Sequence, residues 1–142
     1  VIIQRSKYSK VSVDGKLVNE IDKGYVLLVS FTQSDTEKNI VEMASKIAKL
    51  RIFSDEAGLM NKSILDVGGS VLSISQFTLY ADTKKGNRPS FVNALNGSEA
   101  IKLYERFNDE MNKYCPTYPG VFGADMELLI TNDGPVTITL EI

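Results

Sequence analysis

Three short segments carry the groups that could do chemistry. Ser75-Gln76-Phe77-Thr78 places two hydroxyls and an amide at the end of an apolar run. Strand alternation would put Ser73, Ser75 and Phe77 on one face and Ile74, Gln76 and Thr78 on the other. Polar groups then lie on both faces of a strand that should be central, and buried polar groups need partners or a purpose. Two readings fit. One is a strand emerging at a sheet edge, the simpler account of the local sequence. The other is a pocket floor, where main-chain N–H groups face a substrate oxygen and Thr78 offers a hydroxyl.

The second segment is Asn132-Asp133-Gly134-Pro135-Val136-Thr137. A turn chosen for its φ tolerance explains it locally. Gly-Pro is nevertheless an odd closer for a hairpin, because proline removes a ladder donor just where the second strand starts. An X-Pro bond can also be cis, as about 5–6% are in folded proteins. A cis bond would turn both carbonyl oxygens in nearly the same direction and make a rigid ruler without a side chain. The third segment, Thr83-Lys84-Lys85-Gly86-Asn87-Arg88-Pro89-Ser90-Phe91, puts three cations on a Gly- and Pro-containing stretch. Phosphate contact suits it, and a solvated loop is the easier explanation.

What is missing narrows the chemistry further. The 142 residues include no histidine and one cysteine, Cys115. The commonest general base and the commonest transition-metal ligand are therefore absent, and a structural zinc site is all but excluded. Catalysis must draw on hydroxyls, amides, carboxylates, backbone dipoles or the substrate itself. A lone cysteine forms no internal disulfide and fits a reducing compartment. Beside a helix-ending proline and without a base, its expected role is packing.

The net charge of −2 hides an uneven distribution. Residues 1–13 and 83–98 hold six of the sixteen basic residues and none of the eighteen acids. The rest is left with ten cations against eighteen acids, an excess of eight negative charges. Such a body repels long polyanions, while the two basic segments could hold a few phosphates or be solvated surface. Tyr25 to Val29 is the longest apolar run, far short of the roughly 18 residues that span a bilayer. No charged and apolar leader pattern opens the chain, so no secretory signal is expected.

The elements that must position these groups read as one domain over residues 1–142, without linker or repeat. Asp14-Gly15 between apolar runs predicts a hairpin, and Tyr25–Phe31 reads as a strand buried on both faces. Ser34 and Glu37 have capping-box spacing ahead of Ile40, Met43, Ala44, Ile47 and Ala48, one face of a helix to about Leu50. Gly68-Gly69 turns into a strand over Val71–Tyr80. Asn96-Gly97-Ser98 starts a second helix, with Ile101, Tyr104, Phe107, Met111 and Tyr114 at helical spacing and Cys115-Pro116 ending it. Met126, Leu128 and Ile130, then Val136, Ile138, Leu140 and Ile142, predict a terminal hairpin turning at 132–135. The expected fold class is mixed α/β: a compact, largely antiparallel sheet in barrel-like layers, with about two long helices packed outside.

Taken in order, Ser75-Gln-Phe-Thr78 and Asn132-Asp-Gly-Pro-Val-Thr137 resemble segments of the D-aminoacyl-tRNA deacylases, also called D-tyrosyl-tRNA deacylases. Gln4-Arg5, Leu50-Arg-Ile-Phe53, Leu65-Asp-Val-Gly-Gly69, Arg88-Pro-Ser-Phe91 and Phe122-Gly-Ala-Asp-Met126 extend the resemblance over essentially the whole chain. Val121 stands where many members carry a polar or basic residue, so no RNA contact is assigned to it. The resemblance implies a cytoplasmic homodimer that hydrolyses the ester joining a D-amino acid to the 3′ end of tRNA, without metal or cofactor. Ser75, Gln76, Phe77 and Thr78 would line the pocket. Gly134-Pro135, in the cis form, would reach into the partner subunit's pocket and enforce chirality, with Asn132 counted among the substrate-binding residues. Arg5 would hold that loop, and Lys84, Lys85 and Arg88 would meet the RNA.

Such an ester is already activated, so a modest catalyst suffices. N–H groups near Phe77 and Thr78 could stabilise the oxyanion. Thr78 as nucleophile lacks an activating base; water assisted by the terminal ribose 2′-hydroxyl is the preferred alternative. Rival readings are a non-catalytic binder of the tRNA 3′ end, a general small-ester or thioester hydrolase, and a purely structural dimer.

Overall fold

The computed structural model describes all 142 residues. Strand β1 (Ile2–Val13) organises the sheet. Asp14 and Gly15, both at positive φ, turn it into β2 (Lys16–Ile21), the mirror-image turn that matches strand twist. Strand β3 (Gly24–Val29) returns antiparallel to the first half of β1, while β2 pairs with the second half. Helix α1 (Glu37–Lys49), a short hairpin of β4 (Phe53–Ser54) and β5 (Met60–Lys62), and the single-turn α2 (Ile64–Val67) follow. Strand β6 (Ser70–Ser75) then lies parallel to β3. After helix α3 (Gly97–Asn112), β7 (Thr117–Pro119) adds parallel to β6, and β8 (Glu127–Thr139) pairs antiparallel with β1.

The mixed architecture agrees with the expected class, a curled, barrel-like sheet with two long helices. The Asn19 amide Nδ2 donates to Pro119 O at 2.7 Å, tying β2 across to β7. Strand β3 is buried on both faces, as its unbroken apolar run requires. Tyr25, Leu27 and Val29 meet the helices in one core with Ile47, Phe107 and Met111. Val26 joins Val11, Ile21, Leu72 and Ile74 in a second core on the other face. The buried residues of α1 are Ile40, Met43, Ala44, Ile47 and Ala48, the stripe read from spacing. Fully burying each large side chain is worth about 1.5–3 kcal/mol, so these two layers hold the strands that carry the site.

Several boundaries differ from the sequence reading; β3, for one, stops at Val29 rather than Phe31. The largest difference concerns β8, which is no hairpin: it runs through 132–135 as one strand along β1. Gln4 faces Thr137 and Ser6 faces Asn132, so residues 133–136 bulge out opposite Arg5 alone. Proline is accommodated because the bulge lies off the ladder. The run from Val71 also stops short of Tyr80. It leaves the sheet after Ser75, and Phe77–Tyr80 form a 3-10 turn. Helix α1 starts after Thr36 rather than at Ser34. The Asn39 side chain accepts there from the Thr36 N–H at 2.9 Å and from its hydroxyl at 2.8 Å. Finally, α3 ends at Asn112, before Tyr114 and Cys115.

Candidate active site

Where β6 leaves the sheet, the Gln76 N–H still donates to Val29 O at 2.7 Å, so the departure point is pinned to the central strand. The 3-10 turn begins there, and its first internal bond runs from the Leu79 N–H to Gln76 O at 3.2 Å. With i to i+3 bonding, the N–H groups of Phe77 and Thr78 precede that ladder and have no partner within the turn. The Gln76 amide donates to the Thr78 hydroxyl, which orients both side chains.

A cleft of about 620 Å³ opens at this point. One wall is the end of β3 with Ser75, Gln76 and Phe77; the facing wall combines Leu95, Gly97 and Ala100 at the start of α3 with the Phe122–Met126 segment. Phe77 and Phe91 meet edge to face at 5.0 Å between ring centres and form the rim. Beneath, the buried Tyr104 hydroxyl donates to Ser73 O at 2.7 Å, and its ring lies 5.7 Å from that of Phe122. Burial raises the Tyr104 pKa above the ordinary phenol value, so it stays a proton donor. Asp125 is the one ionisable residue among the cleft walls, and no three His, Cys, Asp or Glu side chains gather anywhere in the chain.

The residues singled out in the sequence separate into two places. Ser75, Gln76 and Phe77 line the cleft; Thr78 is exposed just beyond its wall. Lys84, Lys85 and Arg88 lie on an exposed loop between Asp82 and Ser90, whose backbones pair at 2.7 and 2.9 Å. That loop leads directly into Phe91 at the rim. Arg5, Asn132, Gly134 and Pro135 form the second place, the bulge of β8, and none of them lines the cleft of their own chain. The Gly134–Pro135 peptide is cis, and both residues are exposed.

Arg5 braces the bulge from beneath. Its Nη1 donates to Ile52 O at 2.6 Å and its Nε to Asp133 O at 3.2 Å, while Asp133 Oδ2 lies 3.4 Å from Nε. Lys7 adds a weaker pairing with Asp133 Oδ1 at 3.7 Å. At Gly134, φ is +122°, and a Cβ would sit 2.9 Å from Val136 Cγ2 and 3.0 Å from Arg5 Nη2. Both the backbone angle and the space demand glycine. Sequence reasoning missed the Ile52 carbonyl and the Leu95–Ala100 wall. The apolar pair Ile52-Phe53 was a signal for a buried β4, but nothing local ties its carbonyl to Arg5.

Comparisons with known proteins bear on the family and the fold. The family model described as D-Tyr-tRNA(Tyr) deacylase matches residues 2–141. A D-aminoacyl-tRNA deacylase of Lactobacillus delbrueckii subsp. bulgaricus is 52% identical over 143 residues, covering 100% of this chain and 99% of that protein. Another, from Anoxybacillus flavithermus, is 52% identical over 142 residues, covering 99% and 97%. Among solved structures, a c-Myc DNA Unwinding Element Binding Protein matches with a TM-score of 0.94 at 39% identity, over 99% of this chain and 97% of that one. A probable eukaryotic D-amino acid tRNA deacylase, at 16% identity and a TM-score of 0.85 over 99% and 97% of the two chains, shares the fold. With the match running almost end to end and half the residues identical to curated relatives, this chain belongs to the D-Tyr-tRNA(Tyr) deacylase family.

Proposed function

We propose that the chain, acting as one domain over residues 1–142, hydrolyses D-aminoacyl-tRNA to free tRNA and D-amino acid, with the aminoacylated 3′ end in the cleft beside Ser75, Gln76 and Phe77. The observation that carries this reading is the apolar cleft ending on a turn whose leading N–H groups are free of the turn's own ladder. Those N–H groups of Phe77 and Thr78 would receive the oxyanion of the tetrahedral intermediate, and one such donor is typically worth about 10²–10³ in rate. Tyr104 is committed to Ser73 O below the floor, and no histidine exists to serve as base. Water therefore attacks with the help of the terminal ribose 2′-hydroxyl of the RNA, and no cofactor takes part.

Chirality is judged by a second copy of the chain. The bulge is exposed on its own chain and far enough from its own cleft to line none of it. In a homodimer, Gly134 and Pro135 would enter the neighbouring cleft, and their carbonyls would face the α-carbon and α-amino group. An L side chain then meets backbone that cannot swing aside, whereas a D side chain points away. Glycine offers nothing to exclude, so glycyl-tRNA should be cleaved as a side reaction. Lys84, Lys85 and Arg88, next to the rim, suit the acceptor phosphates, and a tRNA substrate places the work in the cytoplasm.

The mechanism is tested by two changes made separately. Thr78→Ala should slow turnover only partly, while a tRNA ending in 2′-deoxyadenosine should be almost inert. The reverse pattern would establish Thr78 as the nucleophile instead. Efficient cleavage of L-tyrosyl-tRNA by the unaltered enzyme would remove the chiral gate.

A further inference from the structure

We propose that Asn132 is a positioning residue, whose side-chain amide closes the neck of the Gly134–Pro135 bulge and sets where its tip stands, without touching substrate. This rests on the reading of the bulge as the chiral gate. Between the Ser6–Asn132 and Gln4–Thr137 pairs, β1 supplies only Arg5, whereas β8 supplies residues 133–136. The main-chain groups of that excursion have left the ladder and need other partners. Asn132 provides one: its Oδ1 accepts the Val136 N–H at 3.1 Å, and its Nδ2 donates to the Thr137 hydroxyl at 2.9 Å.

The direction of that amide is decided by chemistry. A backbone N–H can only donate, so the oxygen of Asn132 must face Val136 and the nitrogen must face Thr137. Both ends of the amide are then spent inside the bulge. Arg5 holds the other side through Asp133 O and Ile52 O. The two clamps converge on Gly134: an added Cβ would touch Val136 Cγ2 and Val136 N at 2.9 and 3.2 Å, and Arg5 Nη2 at 3.0 Å. Val136 is fixed by Asn132, and Arg5 is fixed by Ile52. A tip that projects into solvent is thus held at two points behind it. A ruler needs this, since a misplacement of about 1 Å can cost on the order of 10²-fold in a reaction set by geometry.

The test measures kcat and KM for D- and L-tyrosyl-tRNA with purified variants, alongside thermal unfolding. Asn132→Ala should lower the D:L ratio of kcat/KM at least tenfold with little change in Tm, because the bulge is exposed. Thr137→Val should lower the ratio less. Asn132→Asp should recover most of it, since a carboxylate accepts from both the Val136 N–H and the Thr137 hydroxyl; Thr137→Ser should behave as the parent. The proposal is overturned if Asn132→Ala leaves the ratio intact, or if it raises the KM for D-tyrosyl-tRNA alone without rescue by Asn132→Asp, the mark of direct contact. Gly134→Ala separates the two levels. If it lowers the ratio and Asn132→Ala does not, the positioning role alone is wrong; if neither does, the gate itself is wrong and this proposal falls with it.

Discussion

Arg5 is the residue whose loss should couple stability to stereochemistry. Its guanidinium makes two charge-assisted hydrogen bonds to carbonyls, at 2.6 Å to Ile52 and 3.2 Å to Asp133, and its side chain is only 11% exposed. Bonds from charged donors contribute about 1.5–3 kcal/mol each. The ion pair with Asp133, whose side chain is 34% exposed, adds at most about 1 kcal/mol. Because both bonds belong to one network, their sum overstates the loss. Arg5→Leu should therefore destabilise the fold by about 3 kcal/mol, or roughly 10 °C in Tm for a domain of this size. Arg5→Lys, whose single ammonium cannot reach both carbonyls in the same way, should lose about half as much. The same variants should lose discrimination, because the segment freed is the one carrying Gly134. Circular dichroism melts and initial rates on D- and L-tyrosyl-tRNA provide both readings. A Tm within a degree of the parent would refute the energetic argument. A large drop in Tm with an unchanged D:L ratio would show that Arg5 braces the fold and not the gate.

Gly24→Ala should prevent folding: a Cβ there would lie 1.7 Å from Ser70 O, backbone against backbone at the start of the β3–β6 ladder. Expression in the soluble fraction with a cooperative melt would contradict this. Burial pushes the Cys115 thiol up to about 11, so an aromatic disulfide reagent at mild alkaline pH should leave the native protein untouched and titrate one thiol after denaturation. From pH 9 to about 11 the folded state holds that proton more tightly than the unfolded one, so stability should fall as pH rises through this window. A flat profile there, set against Cys115→Ala, would refute the assignment. Glu110 is held below the usual carboxylate range by Lys113 and Arg106. Its contribution is present above the ordinary carboxylate pKa and should vanish as pH falls through the lowered value; Glu110→Gln should flatten that part of an acid-unfolding curve.

How much of this was legible in the sequence depends on the range of the interaction. The buried face of α1 and the Asp14-Gly15 turn were readable because their causes lie within a few residues. The 132–137 segment was singled out because proline does not belong in a ladder, and that suspicion was well founded. The turn inferred from it was wrong. Leu128 and Ile130 have the same parity as Val136, Ile138 and Leu140, so one strand interrupted by a bulge and two strands of a hairpin show the same alternation. Only pairing with β1, more than a hundred residues away in sequence, distinguishes them. The polar residues after Ile74 drew attention to this strand, yet it was carried on to Tyr80; its exit into a 3-10 turn at Gln76 depends on Val29 O and is not local. The Ser34/Glu37 spacing set the start of α1 two residues too early, because Thr36 and Asn39 form the cap instead. The grip of Arg5 on Ile52 O spans 47 positions, and nothing in either segment announces it.

The central claim is that rigid main chain decides handedness while the RNA contributes the reactive hydroxyl. Single-turnover hydrolysis of D-tyrosyl-tRNA and L-tyrosyl-tRNA by chelator-treated protein addresses it most directly. Rapid release of D-tyrosine with the L-ester left nearly intact is the expected result; equal discharge of both, or of neither, would contradict it.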